Sequence, residues 1–359
     1  MVPEVMVILG SGSDLEIAKK TMGSLEELQI SYSLKVASAH RTHEKVKNLV
    51  INATENGVKV FIAIAGLSAH LSGSIASYTH RPVISVPVNV KLSGLDSLLS
   101  SVQTPYPASI ATVGIDRGDN AGILAGEILA ISNEKIKNNL HELRETYHDK
   151  IYLSEKEILS QINGSHHEDF QINGVNNNFK DKNSNDELTN NELTNNELTN
   201  NELTNNELTN NVDVAVILDS YSNIKVGENI IELLNKLEIS YDFKIISPIA
   251  NPTEFEDYIN TKNVKLFIGV GGLSAHITGS IVALSEKLVI GVPCSNQLNG
   301  LDALFSMVNM PPGVPVATVG INNGYNGALL IGKILGINDK KIETNLKGEI
   351  ANERIFKEI

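Results

Sequence analysis

Val5-Met6-Val7-Ile8-Leu9-Gly10-Ser11-Gly12-Ser13-Asp14 is the stretch on which the fold turns. Its five consecutive apolar residues read as a strand buried on both faces, the mark of a parallel sheet. After it, Leu15, Ala18, Met22 and Leu25 recur at helical spacing, and Val46, Leu49, Val50 and Ala53 mark a second helix. Phe61-Ile62-Ala63-Ile64-Ala65 and Val83-Ile84-Ser85-Val86 are further strands, each followed by a helix-like segment. Strands alternating with helices of this length imply right-handed βαβ units and a parallel sheet covered by helices on both faces. Ligands of such sheets bind at the carboxyl ends of the strands.

The pattern then repeats. Gly66-Leu67-Ser68-Ala69-His70 recurs as Gly272-Leu273-Ser274-Ala275-His276, and Gly94-Leu95-Asp96 as Gly300-Leu301-Asp302. Ala111-Thr112-Val113-Gly114-Ile115 recurs as Ala317-Thr318-Val319-Gly320-Ile321, and all three blocks are offset by 206 positions. A period this long means that a whole domain is duplicated. Between the copies, from Asp186 to Asn210, a five-residue unit ending Glu-Leu-Thr-Asn occurs five times. That period matches neither helix nor strand, so its single Leu per unit lines no face. The expected organisation is a first domain over 1–155, a disordered Asn-rich linker over 156–211 and a second domain over 212–345.

Composition narrows the function classes. The 359 residues are 42% apolar with no Trp, so a core must be built from Ile, Val, Leu and Ala. The formal net charge of −13 repels phosphate backbones and anionic lipids, which disfavours nucleic-acid and membrane partners but leaves room for a small anionic substrate. Cys294 is the one cysteine, so neither an internal disulfide nor a cysteine-based metal cluster forms, as suits a reducing compartment. No signal peptide and no run of 18 apolar residues is visible, and the expected location is the cytoplasm.

Three strand ends carry the chemistry. At Gly10–Asp14, glycines, two hydroxyls and helix N-terminal amides suit an anion, with Asp14 free to accept from sugar hydroxyls. The bland alternative is an ordinary turn in which Ser and Asp cap the helix. Ser38-Ala39-His40-Arg41-Thr42 brings out a hydroxyl, an imidazole and a guanidinium together. Arg41 suits a phosphate and His40 suits proton transfer near neutrality, against the alternative of a surface His-Arg pair. Ala65-Gly66-Leu67-Ser68-Ala69-His70 offers small residues that leave backbone exposed, and a second imidazole that serves equally well as a cap or a ligand contact. Three such ends at once point to a phosphorylated substrate.

In order and spacing, Gly10-Ser11 with Ser13-Asp14, residues 38–42, Ala65-Gly66 with Ala69-His70-Leu71, Pro82-Val83 with Val86-Pro87-Val88, and Gly94–Leu98 with Val102-Gln103 resemble the PurE family. The likeness covers roughly 4–150, and a weaker one covers roughly 212–340. The resemblance implies two flavodoxin-like or Rossmann-type three-layer α/β domains with parallel sheets. It also implies de novo purine synthesis, by conversion of N5-carboxyaminoimidazole ribonucleotide to the 4-carboxy isomer without metal or organic cofactor. A sister class carboxylates aminoimidazole ribonucleotide directly with CO2, and Arg41 directly after His40 favours the isomerase. Carried over by position, Ser11, Ser38 and Arg41 hold the substrate 5′-phosphate, Asp14 holds the ribose hydroxyls and His40 is the acid/base. Ser13, Gly66 and His70 join them as substrate-binding candidates. A reading of another class is a non-catalytic nucleotide-phosphate binding or regulatory protein.

The copies depart from the pattern in complementary places. Asp219-Ser220-Tyr221-Ser222-Asn223 replaces Gly10–Asp14, putting a negative charge where a phosphate should sit and a Tyr that crowds the turn. Ser247-Pro248-Ile249-Ala250 replaces Ser38–Arg41, so the second copy is expected to be inert. The family's Met-Pro-x-Gly-x-Pro-Val segment survives at 310–316 but reads Thr104-Pro105-Tyr106-Pro107-Ala108-Ser109-Ile110 in the first copy. His43 stands where the family usually has Pro, and Cys294 reads as packing. Family members are homo-octamers with interfacial sites, so the expectation is a homo-oligomer, four two-domain chains making a pseudo-octamer. The second copy would lend loops such as 310–316 to the first, or serve only as scaffold.

Overall fold

The computed structural model describes residues 2–161 and 212–356, so the repeats at 186–210 lie outside the described residues. Among the described residues, 2–149 and 212–356 make one compact unit.

The first repeat runs β1 (Val5–Leu9), α1 (Leu15–Glu27), β2 (Tyr32–Val36), α2 (His43–Glu55), β3 (Val60–Gly66), α3 (His70–Tyr78), β4 (Val83–Val88), α4 (Leu95–Val102), β5 (Ala111–Thr112), α5 (Gly118–Ala130) and α6 (Glu134–Gln161). The second runs β6 (Val214–Leu218), α7 (Ile224–Lys236), β7 (Tyr241–Ile245), α8 (Pro252–Thr261), β8 (Leu266–Gly271), α9 (His276–Leu284), β9 (Leu288–Pro293), α10 (Leu301–Val308), β10 (Ala317–Thr318), α11 (Gly324–Leu335) and α12 (Lys340–Phe356). Helix α6 runs on into the stretch read as linker, where Lys156-Glu157-Ile158-Leu159 still favours helix.

Each repeat orders its strands 2-1-3-4-5, the flavodoxin-like order, with β1 between β2 and β3 in parallel register (Val5 opposite Tyr32 and Val60). Every residue of β1, β4, β6, β8 and β9 is buried, because helices cover both faces. The two halves meet edge to edge: β5 and β10 pair antiparallel at Thr112 and Thr318, making one sheet of ten strands. On one face a single apolar cluster spans both repeats, from Val5 and Leu124 to Leu330 and Leu346. On the other face each repeat keeps a core of its own, around Phe61 and Ile75 or around Phe267 and Ile281.

The segments that differ between the copies lie at this junction. Residues 310–316 seat on the first repeat. Asn120 of α5 donates to the carbonyls of Met310 (3.3 Å) and Pro311 (2.9 Å) and accepts from the Gly313 N–H (3.0 Å). Gly313 has φ +93°, and a Cβ there would lie 2.7 Å from the Tyr147 ring. Across the pseudo-twofold axis, Asn326 donates to Thr104 O (3.0 Å), but its Oδ1 has no partner. The residue that matches Gly313 is Pro107, which has no N–H to give. Tyr106 instead donates its hydroxyl to Glu349 (2.8 Å) and packs on Tyr325.

No helix among the described residues is long and apolar enough to cross a membrane. Cys294 is buried, and burial together with nearby Asp219 pushes its thiol up to about 12, as fits a packing residue.

Candidate active site

The carboxyl ends of β1, β2 and β3 enclose a cavity of about 360 Å³. Ser11, Ser13, Asp14, Ser38, His40, Arg41, Gly66 and His70 all line it, so the eight residues singled out in the sequence share one space. It sits where chain order reverses across β1 and β3, the topological switch point of this sheet order.

The floor is a turn held by its own hydroxyls. Ser11 is extended (φ −150°) and accepts from the Ser13 N–H (3.3 Å). Ser13 Oγ lies 2.9 Å from Ser11 Oγ and 3.0 Å from Asp14 Oδ1. Asp14 precedes α1 but makes no capping bond, which removes the bland reading of its carboxylate. Burial raises the Asp14 pKa, opposed by the hydrogen bonds from Ser13 and Ser11, while Asp116 adds to the rise.

One wall comes from the loop after β2. Thr42 ties it by donating its N–H (2.8 Å) and its hydroxyl (3.1 Å) to Ser38 O and accepting from Ser38 N–H (2.9 Å). Ser38 Oγ in turn accepts from Arg41 N–H (3.3 Å) and lies 3.5 Å from Arg41 Nε. Arg41 has no carboxylate partner among the described residues, so its guanidinium keeps donors free. His40 is exposed and stacks on His70, ring centroids 5.4 Å apart. His43 opens α2 and bonds the Tyr78 hydroxyl through Nε2 (3.0 Å), which anchors the helix from which this loop hangs.

Gly66 serves packing more than exposure of its backbone. A Cβ there would lie 2.4 Å from Val90 Cγ2 and 3.3 Å from Val88 O. Val90 itself lines the cavity and is half exposed. Sequence reasoning missed it, although the strand-end rule that found the other three loops applies equally to the end of β4. Residues 310–316 of the same chain do not line this cavity; they are engaged with Asn120 and Tyr147.

The second repeat keeps the shape and loses the groups. Its cavity, about 300 Å³, is lined by Asp219, Ser220, Ser222, Ser247, Ile249, Ala250 and His276 among others. Ser222 N–H still donates to Ser220 Oγ (3.2 Å), and Ala250 N–H to Ser247 Oγ (3.2 Å), so both loops hold their form. Ile249, in the place of His40, is 71% exposed. Tyr221 is also 71% exposed and does not line the cavity, so it points away from the turn it was expected to crowd. The intruder is Asp219, whose carboxylate accepts from Asn223 Nδ2 (2.7 Å) and Gly272 N–H (3.2 Å). Burial pushes its pKa up to about 6, against those hydrogen bonds.

Among the described residues no cluster of three or more His, Cys, Asp or Glu could hold a metal ion.

The family described as AIR carboxylase matches this chain twice, at residues 4–150 and 213–354. A protein of Methanothermobacter thermautotrophicus named "Probable N5-carboxyaminoimidazole ribonucleotide mutase" is 47% identical over 348 residues, 97% of each chain. One of the same name from Methanobrevibacter smithii is 48% identical over 357 residues, 99% of each. "N5-carboxyaminoimidazole ribonucleotide mutase" of Methanocaldococcus jannaschii is 53% identical over 154 residues, which is 96% of that protein but 43% of this chain.

Proposed function

The chain belongs to the AIR carboxylase family, and from that premise we propose that its first repeat converts N5-carboxyaminoimidazole ribonucleotide to 4-carboxyaminoimidazole ribonucleotide in purine synthesis. The observation that carries this reading is the pairing of His40 with the unneutralised Arg41 on one loop, facing the Ser11–Asp14 turn across a cavity.

Ser11, Ser38 and Arg41 bind the 5′-phosphate, with Ser13 supporting the turn, and Asp14 accepts from the ribose hydroxyls. Held this way, the imidazole of the substrate lies towards His40 and His70. The bond from the substituent nitrogen to the carboxyl carbon breaks, and its electron pair stays on nitrogen. His40 donates a proton there and CO2 is released inside the cavity. Ring carbon C4 then attacks CO2, and His40 takes the C4 proton, which restores the aromatic ring. One proton leaves His40 and one returns, so the sum is an isomerisation. Retention of CO2 beside the ring replaces a cofactor by proximity.

The second repeat, with Ile249 and Ala250 in the places of His40 and Arg41, contributes structure and no chemistry. Leu92 and Leu298, each 73% exposed at matching positions, suit burial against further copies of the chain. A homo-tetramer of two-repeat chains would carry eight repeats and four active sites.

A head-to-head assay tests the reaction. Purified chain receives either N5-carboxyaminoimidazole ribonucleotide or aminoimidazole ribonucleotide with bicarbonate. The expected result is faster product from the first. Efficient turnover only in the second would make the protein a direct carboxylase.

A further inference from the structure

The junction between the repeats carries two clefts related by the pseudo-twofold axis, and they are filled differently. In the first, Glu343 of α12 is buried among three cations and a histidine drawn from both repeats; burial and the nearby Arg81 and Lys347 charges lower the His80 pKa to about 4. His80 Nε2 lies 2.8 Å, Lys347 3.1 Å and Arg81 3.5 Å from its Oε1, and Lys340 2.9 Å from Oε2. Burial alone would raise its pKa; the bonds from Lys340 and Lys347 and the charge of Arg81 hold it at about 2. In that cleft the basic groups converge on a carboxylate of the chain itself.

In the second cleft, the position that matches Glu343 is Lys137, and the position that matches Arg81 is Lys287, both at the 206-residue offset. That position thus turns from carboxylate to cation, while the positions that match His80 and Lys340 become Glu286 and Glu134, so the charges are rearranged and Lys287 is left without a carboxylate. What stands there is a cavity of about 450 Å³ between α5 and α6 of the first repeat and the segments flanking β8 and β9 of the second. Most of its charges are matched: Arg144 to Glu127 (2.5 Å), Lys265 to Asp213 (2.7 Å), Glu286 to His141 (2.7 Å), and Lys262 to Asp242. Lys137 has only a loose, exposed pairing with Glu134 (3.4 Å). Lys287 donates to the Lys262 carbonyl (3.2 Å) and has no carboxylate within 4 Å among the described residues. Burial lowers its pKa, and so does the charge of Lys137. Behind the cations, Ile131, Leu140, Ile259 and Leu284 give apolar walls.

We propose that this cavity binds a small organic oxyanion, a phosphate or carboxylate head on an apolar body, with Lys287 and Lys137 gripping the head where Glu343 sits in the related cleft. A volume of this size is that of a small-molecule site. The site is separate from the catalytic cavity, and the proposal stands whichever reaction that cavity performs.

Phenyl phosphate and benzoate are the probes, one for each kind of head, titrated by calorimetry into the full chain carrying Arg41→Ala so that the catalytic cavity is silenced. At least one probe is expected to bind saturably at one per chain. Lys287→Glu in the same background weakens it by about tenfold or more, while Lys287→Arg keeps it within about threefold. Thermal melting of both variants checks that they fold. Equal binding in Lys287→Glu, or no saturable binding of either probe, overturns the proposal.

Discussion

Two cavities at matching strand ends, built on the same sheet order, differ in four side chains that matter. Gly10, Asp14, His40 and Arg41 in the first are Asp219, Asn223, Ile249 and Ala250 in the second. The serines that shape both loops remain, as Ser11, Ser13 and Ser38 against Ser220, Ser222 and Ser247, with the same hydrogen bonds. Loop shape here is fixed by hydroxyls bonding backbone, whereas proton transfer and anion recognition need an imidazole and a guanidinium. One set can therefore be kept while the other is lost, and the second repeat continues to fold and to complete the shared core.

The largest expected effect tests that split directly. His40→Asn should lower turnover about 10³-fold, the usual worth of a positioned acid/base, while leaving the affinity for a phosphorylated ligand within a few-fold. His276→Asn, the change at the second repeat's one histidine, should leave steady-state rates unchanged. A comparable loss from His276→Asn would make the second cavity catalytic and erase the contrast.

Arg41→Ala comes next. Charge-assisted hydrogen bonds to a phosphate are worth about 1.5–3 kcal/mol, so KM should rise about 10- to 100-fold with a smaller change in kcat. A fall confined to kcat would move Arg41 from phosphate binding to the chemical step.

These contrasts were legible in the sequence because each rests on a short run of neighbours: the five apolar residues of β1, then a loop whose side chains share one strand end. The junction was not. Strands β5 and β10 are two residues each, and two residues carry no periodicity. The match of Asn120 with Gly313, and its failure at Asn326 and Pro107, pairs residues far apart in sequence, so composition at either place says nothing of the other. The departure at 104–110 from the family segment goes with an exchange of partners at the seam, with Tyr106 reaching Glu349.

The seam offers a third test. Glu127 and Lys333 occupy matching positions, 206 apart, and both are buried. Burial pushes Glu127 up to about 7 against the pull of Arg144, which lies 2.5 Å away. Lys333 has only the Ser109 carbonyl (3.3 Å), and burial, reinforced by Arg354, brings it down to about 7. Its folded pKa is below the unfolded 10.5, so the unfolded chain binds the proton more tightly and stability rises with pH between about 7 and 10.5. Lys333→Met should stabilise the chain by about 2 kcal/mol at pH 7 or below, with the gain shrinking towards pH 10. Denaturant unfolding across that range measures it. A gain independent of pH would mean that the amine stays charged in the fold.

The smallest effect concerns the charge that entered the second cavity. Asp219 has its folded pKa raised to about 6 from 3.8, so the folded chain holds the proton more tightly and the cost of this carboxylate appears as pH rises through that window. Asp219→Asn gives up one acceptor, to Asn223 or to Gly272, and the absolute stability change mixes that loss with relief of the charge. The pH dependence separates them, because the lost hydrogen bond is the same at every pH. Relative to the parent chain, the Asn variant should gain about 1 kcal/mol between pH 4 and pH 7, allowing for the partial exposure of the site. A flat difference would mean that the carboxylate is as well solvated in the cavity as in the unfolded chain. A buried opposing charge would then add nothing to the contrast between the two cavities, and any weaker phosphate binding in the second would have to come from the missing guanidinium at Ala250.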